Sequence, residues 1–302
     1  MRALVDVGDG RFVDVRTPER SWRRCATSSV TDCNWLVDAD DAGGLCEACA
    51  LTRTRPADGD REGLAEYVEA ERAKRRLLFQ LYQLNLPVGR RDEVAESGLA
   101  FDLLSSTSTK VVTGHDDGVI TLDLAEVDDQ HRETLRRQLG EPYRTVLGHF
   151  RHEIGHYFWP LLVTDDQLLT ACRSLFGDDR ADYAEAVQKH YASSDFDDLS
   201  WTDEHISRYA TMHPYEDWAE TFAHYLHILD VLETARSFDI APGIVEAGEA
   251  AVFGEVVDSW LSLAYGLNQI NRSMGRSDLY PFVLTPAVIR KLSFIDGLVT
   301  RR

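Results

Sequence analysis

The sequence predicts an α+β protein, mainly helical, with a small strand hairpin or sheet and a small cysteine-rich module ahead of the helices. Three observations carry this. Apolar residues recur at helical spacing from Leu64 onward, through Tyr67, Val68, Leu77, Leu78, Leu81 and Leu84. Two short β-like runs flank the turn His115-Asp116-Asp117-Gly118 in KVVTGHDDGVITLDLAE. Four of the five cysteines, Cys25, Cys33, Cys46 and Cys49, lie close together near the N-terminus.

Composition sets the limits. The 302 residues suit one large domain, or one domain with a small module, and at 44% hydrophobic they can bury a real core. A net charge of −19 argues against a general nucleic-acid binder, which needs a basic footprint, and against an anionic membrane surface. No window approaches the roughly 20 apolar residues of a membrane span. The opening stretch, MRALVDVGDGRFVDV, lacks a basic-then-apolar targeting pattern. The expectation is a cytoplasmic protein, where clustered cysteines serve as metal ligands more often than as disulfides.

Three segments follow. Residues 1–60 are rich in Asp, Gly, Arg and Thr, with short β-like runs (RFVDV, NWLV), and need a staple because they carry little core of their own. Residues 61–98 read as a connecting helix, ended by Pro87 and Gly89, and a linker. Residues 99–302 begin with the strand pair and continue as helices near 128–139, 142–158, 165–175, 179–192, 202–209, 214–231, 243–272 and 286–298. The strand VITLDLAE could be a sheet edge for an extended peptide, or plain sheet. Cys172 sits on a helical apolar pattern and is expected in the core.

The helix expected at 142–158 contains GHFRHEIGHYFW. Pro142 suits its first turn and Pro160 marks its end. Val146, Leu147, Phe150, Ile154 and Phe158 form an apolar face. His152 and His156, four apart, stand one turn above each other, so both imidazoles can address one ion. Glu153, one residue along, can reach a water on that ion, which is why H-E-x-x-H makes a zinc hydrolase site. A third ligand is required. A metzincin would continue with Gly and His where this chain has Trp159 and Leu162, so that class is excluded.

The other common third ligand is a glutamate from a second helix. RYATMHPYEDWAETFAHYLH offers one after Pro214. Trp218, Ala219, Phe222, Leu226 and Leu229 form its apolar stripe, and Glu216, Glu220 and His224 line one face. Carboxylates beside a bulky apolar stripe need a buried partner. Glu216 is assigned as third ligand and Glu220 as the carboxylate that orients a ligand histidine. His224 and His227 could instead form a second metal site or replace Glu216.

At this point the chain resembles known proteins. HEIGH with an E-x-x-x-E helix resembles the gluzincin metallopeptidases. The longer run EPYRTVLGHFRHEIGHYFW, DDRADYAEAVQKHYA, ATMHPYEDWAETFAHYLHILD and LYPFVLTPAVIRKL resembles a bacterial family of zinc-binding metallopeptidases with a zinc-ribbon-like N-terminus. The resemblance spans nearly the whole chain. It implies a gluzincin-like peptidase domain preceded by a small four-cysteine zinc-ribbon-like module, with the ligand set above. Gluzincins of the lethal-factor type carry an oxyanion-binding tyrosine seven residues before the glutamate ligand, which is Tyr209 here. His213 is the second candidate for that role.

Cys25-x7-Cys33-x12-Cys46-x2-Cys49 ends in a C-x-x-C knuckle, and four thiolates satisfy zinc tetrahedrally. The first pair is wider than in a standard ribbon, while RCATSSVTDCNWLVDADDAGGLCEACALTR resembles the family's N-terminal module. Many members begin with a further C-x-x-C segment that this sequence does not show, which puts in question any function needing a complete ribbon. The expectation is therefore a cytoplasmic zinc peptidase with one catalytic and one structural zinc, acting on a peptide or protein. The competing expectation is a non-catalytic protein-interaction module in which both zincs are structural, the open position closed by His149, His213 or His224. Nucleic-acid binding would rest on Arg20, Arg23, Arg24, Arg53 and Arg55, and Asp38, Asp40, Asp41 and Glu47 oppose it.

Overall fold

A computed structural model describes residues 4–91, 98–106, 111–128, 145–192, 200–240 and 252–301. The protein is mainly helical with two small sheets, as the sequence predicts. It divides into two compact units, Met1–Tyr82 with Pro87–His131, and Gln83–Leu86 with Arg132–Arg302.

The first unit opens with an antiparallel meander of β1 (Leu4–Gly8), β2 (Arg11–Asp14), β3 (Thr17–Arg24) and β4 (Leu36–Asp38). Asp9 and Gly10, both at positive φ (53° and 70°), make the tight turn between β1 and β2. The short helices α1 (Ser28–Thr31) and α2 (Glu47–Ala50) interrupt the chain beside the cysteines. A second sheet has the order β5 (Thr52–Thr54), β6 (Ala100–Leu104), β8 (Val119–Asp123), β7 (Gly114–Asp116). The expected hairpin is β7–β8, turned by Asp117 and Gly118 at φ 43° and 81°. Strand β8 is bonded to β6 on one side and β7 on the other, so it is plain sheet and offers no edge to a peptide. The long helix α3 (Arg61–Gln83) buries Tyr67, Ala70, Leu77, Leu78 and Leu81. It stops at Gln83, a turn before the predicted Pro87–Gly89 break. Because β5 hydrogen-bonds to β6, these strands share a unit with the cysteine-rich segment.

The second unit is helical: α4 (Val146–Leu162), α5 (Asp166–Phe176), α6 (Tyr183–Ala192), α7 (Pro214–Ser237), α8 (Phe253–Ser273) and α9 (Pro286–Thr300). Side chains cap these helices where the sequence supplies them. Thr145 accepts from Gly148 N, Asp165 from Gln167 N and Leu168 N, and Thr285 from Val288 N. Phe150, Ile154 and Phe158 of α4 are buried with Trp218, Phe222 and Leu226 of α7. Phe158 and Phe222 stack with centroids 5.6 Å apart. Cys172 is fully buried, as expected. No helix among the described residues is long and apolar enough to cross a membrane.

Two expectations are corrected. Pro160 does not end its helix but lies inside it, since α4 runs to Leu162. A proline cannot donate to the carbonyl four residues back, which here is His156. The Tyr215 hydroxyl of α7 donates to that carbonyl instead, at 3.2 Å, so the second helix supplies what the proline removes. The helix expected at 202–209 is two separate 3-10 turns, Ser200–Asp203 and Tyr209–Thr211. Between them Ser207 accepts from Ala210 N and donates to Glu220, a local alternative to helical pairing. The expected helix at 128–139, Pro142 and the start of the 243–272 helix lie outside the described residues.

Helices α4 and α7 meet where Gly155 faces Ala219. A Cβ on Gly155 would lie 3.0 Å from Ala219 Cα and 3.2 Å from its carbonyl oxygen. These are backbone atoms, which cannot turn aside. Gly155→Val is therefore expected to destabilise the protein by about 1–3 kcal/mol through overpacking, despite valine's better helix propensity. Urea unfolding measures it, and an unchanged midpoint would contradict the close approach.

Candidate active site

His152 and His156 project from α4 toward α7. The three candidate donor atoms converge: His152 Nε2 is 3.2 Å from His156 Nε2 and 2.9 Å from Glu216 Oε2, and His156 Nε2 is 3.5 Å from the same oxygen. A tetrahedral ion with bonds of about 2.0–2.1 Å has donor–donor edges of about 3.3 Å, so the spacing fits zinc. The orientation fits too. His152 Nδ1–H donates to Glu220 Oε1 at 2.8 Å, which turns Nε2 toward His156 and Glu216. At 2.9 Å from the Glu216 carboxylate, Nε2 needs either a proton or a metal ion between the two.

The electrostatics agree. Burial opposes a charged His152, but hydrogen bonds to Glu216 and Glu220 outweigh it and hold the ring's pKa well above its usual value. Glu216 is 2% exposed. Burial would raise its carboxyl, yet His152 and His156 drive it far below the usual carboxylate range. Glu220 is likewise brought down to about 2 against burial, chiefly by its hydrogen bond to His152. This pocket is built to hold positive charge, as a proton or as a metal ion.

The remaining site candidates divide. Glu153 follows His152 on α4 and is half-buried. Tyr209 stands edge-on to His152 with ring centroids 5.6 Å apart. Both nitrogens of His213 are engaged: Nδ1 accepts from Tyr215 N at 3.1 Å as the cap of α7, and Nε2 donates to Ala181 O at 3.1 Å. His224 Nδ1 pairs with the Tyr280 hydroxyl at 2.8 Å, and burial lowers this histidine to about 4. Among the described residues, the group that gathers here is His152, His156 and Glu216, without His149, His213, His224 or any other fourth His, Cys, Asp or Glu.

In the first unit, the sulfurs of Cys25, Cys33, Cys46 and Cys49 lie within 4.8 Å of one another, all buried. Cys33 Sγ and Cys46 Sγ are 3.6 Å apart, against the roughly 3.8 Å edge of a tetrahedron with 2.3 Å zinc–sulfur bonds. Cys46 N donates to Cys25 Sγ at 3.3 Å and Cys49 N to Cys46 Sγ at 3.4 Å. Amides aimed at sulfur favour thiolates. Hydrogen bonds from Cys46 and Cys49 hold the Cys33 thiol well below its usual pKa, and the same contact pushes Cys46 far above it, so without a metal the pair shares a proton.

Comparison with known proteins bears on both sites. A family model described as "Putative zinc-binding metallo-peptidase" matches residues 63–298, and one described as a zinc-ribbon domain matches residues 1–60. The chain belongs to this metallopeptidase family. Uncharacterized proteins of Mycobacterium tuberculosis and Mycobacterium bovis are 52% identical over 280 residues, covering 91% of this chain and 82% of each relative. No solved structure matches. Membership in a zinc-binding family agrees with two donor sets whose chemistry and spacing suit zinc.

Three residues around the three-donor group were not singled out from the sequence. The Tyr183 hydroxyl donates to Glu216 Oε1 at 2.7 Å, and the Ser207 hydroxyl to Glu220 Oε2 at 2.6 Å. Tyr215 lies against the His156 ring with centroids 4.3 Å apart. Only Tyr215 carried a signal, as the neighbour of Glu216 in a helix's first turn.

Elemental analysis separates the two sites. The wild type is expected to carry two zinc ions per chain, Glu216→Ala one, and Cys49→Ser the other one. Two ions retained in Glu216→Ala would dismiss the histidine–glutamate centre.

Proposed function

We propose that the protein is a zinc-dependent peptidase that hydrolyses peptide bonds in a peptide or protein substrate. His152, His156 and Glu216 hold the catalytic ion, and Cys25, Cys33, Cys46 and Cys49 hold a structural one. The observation that carries this reading is the three-donor group at 2.9–3.5 Å with a glutamate, Glu153, next to one ligand on the same helix. Three protein donors and an open fourth position are the pattern of catalytic rather than structural zinc.

When bound, the ion supplies Lewis acidity, lowering the pKa of water and polarising the scissile carbonyl. The protein's own groups do the rest. Glu153 takes the proton of the attacking water and delivers it to the leaving amine. Glu220 fixes the His152 ring through Nδ1 and is itself held by Ser207. Tyr209, beside His152, donates to the developing oxyanion. His213 suits that role less well, because its nitrogens are committed to Tyr215 and Ala181.

The interaction-module alternative needs a fourth protein donor to close the histidine site, and none joins the group among the described residues. A nucleic-acid partner is disfavoured by pairing of the basic residues: Arg20 with Asp38, Arg53 with Asp102, and Arg55 with Asp58. Free cysteines gathered at one point suit a reducing compartment, and so a cytoplasmic location.

The test is Glu153→Gln, screened with the wild type against unfolded casein and a peptide library. The variant is expected to keep both zinc ions while hydrolysis falls by about 10²–10⁴. Full activity in a zinc-loaded Glu153→Gln protein would remove this mechanism.

A further inference from the structure

We propose that Tyr183 is a positioning residue that commits Glu216 to binding the metal through one oxygen, and so keeps a coordination position open. This rests on the peptidase reading of the His152–His156–Glu216 centre.

A carboxylate can bind a metal through one oxygen or two, and the choice decides how much room remains for water and substrate. At Glu216 the two oxygens have different partners. Oε2 faces both ligand nitrogens, at 2.9 Å from His152 and 3.5 Å from His156. Oε1 accepts from the Tyr183 hydroxyl at 2.7 Å. With Glu216 only 2% exposed, solvent is a poor substitute for that donor. Without the hydroxyl, a buried carboxylate oxygen loses a strong hydrogen bond, and the compensating positive charge nearest to it is the ion. Rotation toward two-oxygen binding then raises the coordination number and occupies the open position.

Burial does not account for a tyrosine here. Tyr183 opens α6, is 44% exposed, and none of the described side chains of that helix is buried. What the position does have is a fixed address. His213, the cap of α7, donates from Nε2 to Ala181 O, two residues before Tyr183, and its ring lies 5.3 Å from the Tyr183 ring. The same histidine therefore starts the helix that carries Glu216 and tethers the segment that carries Tyr183. Hydroxyl and carboxylate are registered against each other by one side chain.

Tyr183→Phe and Tyr183→Ala test this in the full chain. A chelator first removes the ion at the histidine–glutamate site, and cobalt(II) is then added. Absence of sulfur-to-cobalt charge-transfer bands confirms that the cysteine site has kept zinc. Both variants are expected to lose intensity in the visible cobalt bands, as a higher coordination number dictates, and to change zinc affinity about tenfold in a chelator competition. Spectra and affinities matching the wild type would overturn the proposal. So would a normal Tyr183→Phe with an altered Tyr183→Ala, because the ring rather than the hydroxyl would then be acting. Wild-type protein that takes up no cobalt at this site would overturn the peptidase reading itself, and this proposal with it.

Discussion

The close approach of α4 to α7 is the constraint on which the second unit depends. The three candidate donors come from two helices, and a centre whose edges are near 3 Å tolerates little error in their separation. Gly155 sets that separation, since any Cβ there would press on the backbone of Ala219. Three contacts set the register. Trp218 Nε1 donates to Gly155 O at 2.8 Å, the Tyr215 hydroxyl donates to His156 O, and Arg151 pairs with Asp230 at 2.5 Å. The last is a buried ion pair, and such pairs add little net stability because both charges lose their water. Its consequence is positional: sliding α4 along α7 would strand two buried charges, so the helices have one acceptable register. The proline at 160 fits the same scheme. It frees the carbonyl of His156, and the neighbouring helix claims it.

Carboxylates crowd α7, and two of the buried ones have a cation of their own. Asp230 has Arg151. Asp217 has Lys291, at 2.6 Å, and Lys291 also donates to Glu204 O. Burial still pushes the Asp217 carboxyl up to about 6, against the pull of Lys291, a measure of how dry the surroundings are. Among the described residues, Glu216 and Glu220 are paired with no lysine or arginine. They have His152, placed between both, and the demand for positive charge that its raised pKa expresses. A histidine can meet that demand by protonation only while its Nε2 is not needed for a metal. The centre thus offers a metal ion what it would otherwise offer a proton, and the two compete for the same nitrogen.

Residues on a single helix were legible from the sequence because helical geometry turns spacing into position. His152 and His156, and Glu216 and Glu220, each lie four apart and share a face wherever the helix sits. The apolar stripe of Trp218, Phe222 and Leu226 marked which side of α7 would be buried, and so which carboxylates would need partners. Tyr183 and Ser207 were not legible for the opposite reason. Tyr183 reaches Glu216 across 33 positions of chain and Ser207 reaches Glu220 across 13, through turns whose course depends on tertiary contacts. The 3-10 break between residues 202 and 209 escaped notice for a related reason. Its sequence is compatible with a helix until Ser207 finds a better partner in Glu220. His213 shows a further limit: a histidine beside a metal motif invites a catalytic role, but only the geometry reveals that both nitrogens are already engaged in capping and tethering.

The first unit follows the same logic of paired charge, with sulfur in place of carboxylate. Helix α3 turns Glu71, Lys74 and Arg75 inward, at 0%, 0% and 5% exposure, and Cys49 Sγ lies 4.0 Å from Glu71 Oε2. Glu71 Oε1 takes Lys74 Nζ at 2.5 Å, while Oε2 is 3.7 Å from Arg75. One carboxylate balances one of two buried cations. Arg75 adds hydrogen bonds to the carbonyls of Thr31 and Asp32, in the loop that leads to Cys33. The segment that matches a zinc ribbon, residues 1–60, stops just short of this helix. Helix α3 thus ties itself to the cysteine-rich segment at two points, through Arg75 on the backbone just before Cys33 and through Glu71 beside Cys49, in a segment with little apolar core of its own.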